Sequence, residues 1–243
     1  MKPTTRPNHL EILFEDQHLV VIEKPYGMLS TPFPGSRGKS AQELLVDRYR
    51  SRGKRTIFAV HRLDRDTSGV MMFALSEKLG KRIMDDWDEL VQERTYRCLC
   101  LREPGSAPLP DTAEFNDSIV YNKFGIGYIP KETVRGGKDK TFPSTCRIRV
   151  LGRGPQSDLV EVELITGRKN QIRIQLAHRG HPISGDPNYG TIRNTKDRLA
   201  LHACVLGFIH PVTGDSLRFE SPEPAVFHSL VSRGKRVSPA RGK

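Results

Sequence analysis

Apolar residues in this chain come in short bursts rather than long helical stripes, and that spacing limits the architectures open to it. Ile12-Leu13-Phe14, Leu19-Val20-Val21-Ile22, Ile57-Phe58-Ala59-Val60 and Gly69-Val70-Met71-Met72-Phe73-Ala74-Leu75 are bounded by polar or glycine- and proline-bearing segments, the pattern of strands between turns. Thr95 to Leu101, Leu159 to Ile165, Leu199 to Leu206 and Ser216 to Phe219 continue it, the last two joined by a turn at Thr213-Gly214-Asp215. No apolar run approaches the roughly 20 residues that span a bilayer.

Helix signals are fewer. Ser40-Ala41-Gln42-Glu43 is a capping box, in which the serine hydroxyl accepts the Glu43 amide while the glutamate reaches back. It predicts a helix to about Arg50 that buries Leu44 and Leu45. Beyond it, Arg48, Arg50, Arg52, Lys54 and Arg55 suit either a solvated helix end or phosphate contacts. Ser76 caps a second helix to about Leu90, with Leu79, Ile83 and Trp87 on one face, and Asn170 caps a third through about His178. Residues 103–145, rich in glycine and proline, read as hairpins and loops. Helices and strands do not alternate regularly and no repeat is visible. The expected fold class is therefore α+β, on a mixed, largely antiparallel sheet with helices and loops around a central cleft, and not a doubly wound nucleotide fold. The expected organisation is an N-terminal extension at 1–9, one domain over 10–230 and a basic, disordered tail at 231–243.

The charge balance narrows the partners. The 243 residues carry 39 Lys+Arg against 28 Asp+Glu, a formal charge of +11, which attracts polyanions but also serves solubility. The opening residues lead into no signal-like apolar stretch, so a cytoplasmic protein with no membrane partner is expected. Cys98, Cys100, Cys146 and Cys204 lack the paired spacing of a zinc site, and Cys98 and Cys100 share a strand face as small buried residues; no metal is expected. Gly35 to Ser40 ends like a phosphate-binding loop, but Phe33 stands where its first glycine belongs. His178 and His181 lie three apart, but Gly180 and Pro182 end the helix there and no third ligand is indicated.

One polar segment stands apart. His61-Arg62-Leu63-Asp64-Arg65-Asp66-Thr67-Ser68-Gly69 places two arginines and two aspartates between apolar strands. Loops on a rigid scaffold are where chemistry concentrates, and a carboxylate among guanidinium groups stays ionised, which suits a nucleophile rather than an acid. Spacing alone favours a local salt-bridge cluster over that chemistry.

This segment resembles the signature of the RluA-type family of RNA pseudouridine synthases. The resemblance extends through residues 21–27 (VIEKPYG), Arg94-Thr95-Tyr96, residues 166–173 (TGRKNQIR), residues 176–190 and Leu201-His202-Ala203. It implies a pseudouridine synthase fold and the isomerisation of uridine in structured ribosomal or transfer RNA, without a cofactor. Asp64 would be the nucleophile. Arg173 would form the ion pair that keeps Asp64 charged and aimed, and Tyr96 would pack on the target uracil. Arg62 would fill the stack vacated by the flipped base, with further substrate contacts from His61, Arg65 and Arg168. Asn170 and Gln175 depart from the family, which often has histidine at both positions. The blocks begin near residue 10, so no S4-like domain is expected before them, and RNA recognition falls to the catalytic domain, its insertions and the basic tail. A monomer is expected. Two rival readings are a catalytically silent RNA-binding or assembly protein on the same fold, and a hydrolase pairing Asp64 with Asp66.

Overall fold

The computed structural model describes residues 10–50, 53, 56–130, 140–190 and 198–231. The extension at 1–9, residues Arg52, Lys54 and Arg55, and the tail beyond Val231 lie outside the described residues. In chain order the elements are β1 (Glu11–Glu15), β2 (Leu19–Lys24), α1 (Ala41–Arg50), β3 (Phe58–Ala59), β4 (Ser68–Ala74), α2 (Glu77–Asp85) and α3 (Trp87–Leu90). There follow β5 (Val91–Leu101), β6 (Thr112–Tyr121), β7 (Gly127–Tyr128), β8 (Thr141–Arg153), β9 (Ser157–Leu164), α4 (Gln171–His178), β10 (Leu201–Ile209), β11 (Ser216–Glu220) and α5 (Val226–Val231). Every strand pairing whose register is defined is antiparallel, as the α+β reading expects.

The span read as one domain is built from two compact units, each discontinuous in sequence: Met1–Arg94 with Ala203–Pro222, and Thr95–His202 with Glu223–Lys243. In the first unit the strands run β1-β2-β4-β10, with β11 added to β10 and β3 to β4. Its core gathers Leu19, Val21, Val70, Met72, Ile83 and Phe208, so β2, β4, β10 and α2 bury one apolar face together. The β1–β2 turn is tied by Asp16, whose Oδ1 accepts the amides of His18 and Leu19 at 2.7 and 2.6 Å. Gly69 cannot be replaced: its φ is +119°, and a Cβ there would lie 2.1 Å from the carbonyl oxygen of Ala203.

The capping box forms as read, with the Ser40 amide donating to Glu43 at 2.8 Å and the Glu43 amide to Ser40 Oγ at 3.3 Å. Leu45 is buried while Leu44 is half-buried, and Tyr49 takes the second deep position. At the end of α1, Arg48 faces Glu15 and Arg50 faces Asp47 at 3.8 and 3.9 Å, a solvated helix end. Ser76 caps α2 through Leu79, but the expected helix to Leu90 is broken at Asp86, where φ −96° and ψ 20° end one helix and start the short α3. Aspartate competes with helical hydrogen bonds and tolerates that conformation.

In the second unit the order is β5-β9-β8-β6-β7. The stretch 103–145, read as hairpins and loops, holds β6, β7 and the start of β8. Pro143 sits inside β8 opposite Ser118 of β6, at a point before β9 joins at Cys146; with only one neighbour there, its missing N–H costs no ladder bond. The core combines Cys98, Cys100, Ile148, Val160, Ile172 and Leu176 with Phe227 and Val231 of α5. That helix takes in Val231, the first residue assigned to the tail, so the expected boundary falls inside a helix. All four cysteines are buried thiols, and the Sγ atoms of Cys98 and Cys100 lie 3.7 Å apart. Among the described residues, no helix is long and apolar enough to cross a membrane, and no cluster of three or more His, Cys, Asp or Glu could hold a metal.

Candidate active site

In the first unit, the segment between β3 and β4 presents Asp64 at the start of a tight turn, closed by the Thr67 amide donating to the Asp64 carbonyl at 3.1 Å. The carboxylate side chain is half-buried. A second loop, following β2, grips this segment through its backbone. Ser30 Oγ donates to the Leu63 carbonyl at 2.6 Å and accepts the Leu63 amide at 3.1 Å. Gly27 N donates to the Arg65 carbonyl at 3.0 Å, and Arg65 Nε returns a bond to the Gly27 carbonyl at 3.1 Å. Beneath them lies Lys24, fully buried, whose ammonium donates to the carbonyls of Met28, Pro25 and Arg65 at 2.7, 3.1 and 3.2 Å. A buried cation is tolerated only with such partners; here it draws the carbonyls of both loops to one point.

His61 anchors the near end of the segment. Its Nε2 accepts the Met72 amide of β4 at 3.0 Å, and its ring lies 5.3 Å from that of Trp87. Burial, reinforced by the charge of Arg94, lowers its pKa from 6.5 to about 4, so the ring is neutral at physiological pH. Arg62 is exposed and makes no hydrogen bond or ion pair with another described residue.

In the second unit, Tyr96 sits half-buried on β5 opposite Val162 of β9, packed against the core. Arg173 is buried in the first turn of α4. Asp186 accepts from it through both oxygens, Nε to Oδ2 and Nη2 to Oδ1, each at 2.7 Å, and Asn170 Oδ1 accepts from Nη1 at 2.8 Å. These partners account for three of the five donors that a guanidinium carries. Asp186 is held in turn by the amides of Asn188 and Tyr189 at 2.9 and 3.1 Å, and the Tyr189 ring lies 5.1 Å from the guanidinium carbon.

The two departures from the family pattern have structural roles. Asn170 precedes α4, but its φ is +57° and its side chain caps no helix amide; the left-handed conformation, which asparagine tolerates, turns it toward Arg173 instead. The expected cap is thus corrected: Gln171 ties the entry loop, its Oε1 accepting from Thr166 Oγ1 and the Arg168 amide at 2.8 and 3.0 Å. Gln175 is fully buried, and its Nε2 donates to Asp117 Oδ2 and to the carbonyls of Ser144 and Phe115 at 2.8, 3.1 and 3.3 Å. Arg168 is exposed and its Nε donates to the Pro143 carbonyl at 3.1 Å.

The structure therefore brings His61, Arg62, Asp64 and Arg65 onto one clamped segment of the first unit, and places Tyr96, Arg168 and Arg173 in the second. Sequence reasoning missed Lys24, Ser30 and Asp186 as positioning residues. Lys24 and Asp186 stand inside blocks that carry the family resemblance, the only sequence signal for them; Ser30 stands outside every block.

The first unit thus holds a clamped carboxylate loop, and the second a buried arginine oriented by a carboxylate. Residues 18–178 match the family model described as RNA pseudouridylate synthase. The chain is 30% identical over 245 residues to ribosomal large subunit pseudouridine synthase D of Zymomonas mobilis, covering 91% of this chain and 74% of the relative. It is 32% identical to an uncharacterised RNA pseudouridine synthase of Bacillus subtilis (93% and 73% covered) and 28% identical to tRNA pseudouridine synthase C of Vibrio parahaemolyticus (93% and 96% covered). In fold it is similar to human RNA pseudouridylate synthase domain containing 1, with a TM-score of 0.74 at 23% identity, covering 100% of this chain and 94% of that one. The chain belongs to the RluA-type family of RNA pseudouridine synthases, which are isomerases.

Proposed function

We propose that the chain converts uridine in structured ribosomal or transfer RNA to pseudouridine, in the cytoplasm and without a cofactor, with Asp64 as the nucleophile. The reaction breaks the C1′–N1 bond, turns the uracil and joins C1′ to C5; the C5 proton leaves and N1 ends protonated, so atoms and electrons balance with no redox partner. Tyr96 offers a ring face to the uracil and a hydroxyl near the C5 proton. Arg173 supplies the positive charge that keeps the nucleophile ionised. Arg62, exposed two residues from Asp64, fills the gap left by the extruded base. Arg65 and Arg168 reach RNA with the parts of their guanidinium groups that Gly27 and Pro143 do not engage. His61, whose acceptor nitrogen is committed to β4, serves as an anchor of the segment rather than as an RNA contact.

The observation that carries this reading is the clamp on 61–67, which fixes the backbone on either side of Asp64 through Leu63 and Arg65. The same observation disfavours the hydrolase, since Asp64 and Asp66 share one tight turn instead of flanking a bond. The test uses unmodified ribosomal and transfer RNA transcripts labelled with tritium at uridine C5. Wild type releases tritium from at least one of them. Asp64→Asn binds the same RNA with unchanged affinity but releases label at least about a thousand-fold more slowly, as loss of a covalent nucleophile requires. Binding without release by wild type would favour the silent binder, and free uracil would favour hydrolysis.

A further inference from the structure

The β6–β7 hairpin of the second unit exposes aromatic rings among cations. Phe124 at its tip is 75% exposed, and Tyr128 at its base is 44% exposed. Asn122 shapes the tip by accepting the amides of Phe124 and Ile126 on its side chain at 2.9 and 3.1 Å, so the ring is held out by a turn built for it. Lys123 Nζ lies 5.0 Å from the Phe124 centroid, over one face of that ring. Lys169 donates from Nζ to the Gly125 carbonyl at 3.2 Å, while its own carbonyl accepts from Tyr121 at 2.9 Å. The Tyr121 ring meets Phe142 at 5.4 Å, and Lys140 lies 5.3 Å from the Phe142 centroid. Tip, strand edge and the loop before α4 thus form one connected surface. Its segments 121–130, 140–143 and 166–170 contain Lys123, Lys140, Arg168 and Lys169 and not one aspartate or glutamate.

We propose that this surface binds an unpaired stretch of RNA beside the target uridine, with a base stacked on Phe124 and phosphates held by Lys123, Lys140 and Arg168. The proposal rests on the synthase reading and adds to it a substrate feature: single-stranded nucleotides next to the modified position. Isolated exposed apolar side chains are ordinary on protein surfaces. Rings interleaved with cations, with no anion in the described segments 121–130, 140–143 and 166–170, fit a ligand that is both polyanionic and flat-faced, which is the chemistry of single-stranded nucleic acid. A duplex is excluded by the same geometry, because its bases have no open face for Phe124 to cover. The surface also adjoins the residues around Arg173. The Gly127 amide donates to the Tyr189 hydroxyl at 3.3 Å, Asn170 Nδ2 approaches that hydroxyl at 3.4 Å, and the Tyr189 ring stacks beside Arg173. Gly127 permits this approach: a Cβ there would lie 2.5 Å from Ile174 Cδ1.

The test compares a fluorescent ten-nucleotide single-stranded RNA with a blunt duplex of equal length, using the full chain. Phe124→Ala, an exposed position whose loss leaves the core intact, weakens binding of the single strand on the order of ten- to a hundred-fold, the value of one stacked base, and leaves duplex binding unchanged. Phe124→Trp restores it. Lys123→Glu with Lys140→Glu flattens the salt dependence of single-strand binding. Equal effects on both RNAs, or none, would overturn the proposal. So would unchanged RNA affinity together with loss of a concentration-dependent self-association, which would give the surface to a second copy of the chain. Because these are binding measurements, they stand apart from tritium release: a wild type that binds through Phe124 yet releases no label would remove the activity and keep the surface.

Discussion

The two units secure their candidate site residues by opposite means. In the first unit, the segment bearing Asp64 is held by five hydrogen bonds shared with the end of β2 and the loop that follows it, four of them to backbone groups of the segment. In the second, the Arg173 guanidinium is held chiefly by a single carboxylate, with the arginine side chain 8% exposed and that of Asp186 fully buried. A backbone clamp spreads the load, so no one side chain decides it. A buried ion pair concentrates the load on one bond pair and leaves an uncompensated charge if either partner is lost.

That contrast is broken most directly at Asp186. Asp186→Ala is expected to destabilise the protein by about 3–5 kcal/mol, read from urea unfolding, and Asp186→Asn by less because one acceptor oxygen survives. A loss below about 1 kcal/mol for the alanine variant would mean that Arg173 is held by something other than this pair.

The anchor at the near end of the clamped segment gives the next largest effect, through pH. His61 has a folded pKa of about 4 against 6.5 unfolded, so between these values the unfolded chain binds the extra proton. Stability from this group is complete above pH 6.5 and lost as pH falls toward 4, by roughly 3 kcal/mol at most, since each unit is worth about 1.36 kcal/mol. Glu43, Glu77, Glu114 and Glu223 are all held below the ordinary 4.5, and their contributions are lost only below that pH. The slope of unfolding free energy between pH 6.5 and 4.5 therefore contains the His61 contribution, and it should fall by that amount in His61→Phe. A slope of the same size in that variant would place the titration elsewhere.

The smallest effect tests the clamp itself. Ser30→Ala removes two of its bonds and leaves the buried Leu63 amide without its acceptor, a cost of about 1–2 kcal/mol. If the clamp shares its load, tritium release falls by no more than about ten-fold; a collapse of activity as deep as that of Asp64→Asn would show that the serine alone sets the loop.

What could be read from the sequence follows how local each determinant is. The α1 capping box is complete within four residues, and β1, β2 and β4 announce themselves as apolar runs with turns at both ends. β8 did not, because Pro143 and Gly152 look like breakers; their meaning depends on which strands lie alongside at those positions. α5 was invisible because its six residues are held by Phe227 and Val231 reaching a core made by residues far earlier in the chain. The site divides in the same way. The segment around Asp64 declares itself by charge among apolar strands, whereas Asp186 is one acid among 28 until the fold sets it against Arg173.

The buried thiols carry a practical consequence. Cys98, Cys100 and Cys146 belong to the second unit and Cys204 to the first. Burial pushes the Cys146 thiol up to about 12, and Cys100 is raised well above 9, first by its contact with Cys98 and then by burial. Thiolate is the reactive form, so an alkylating reagent must wait for the surrounding structure to open. The chain has four internal clocks, three in one unit and one in the other, and mass-resolved labelling can time the loosening of each half without adding a probe.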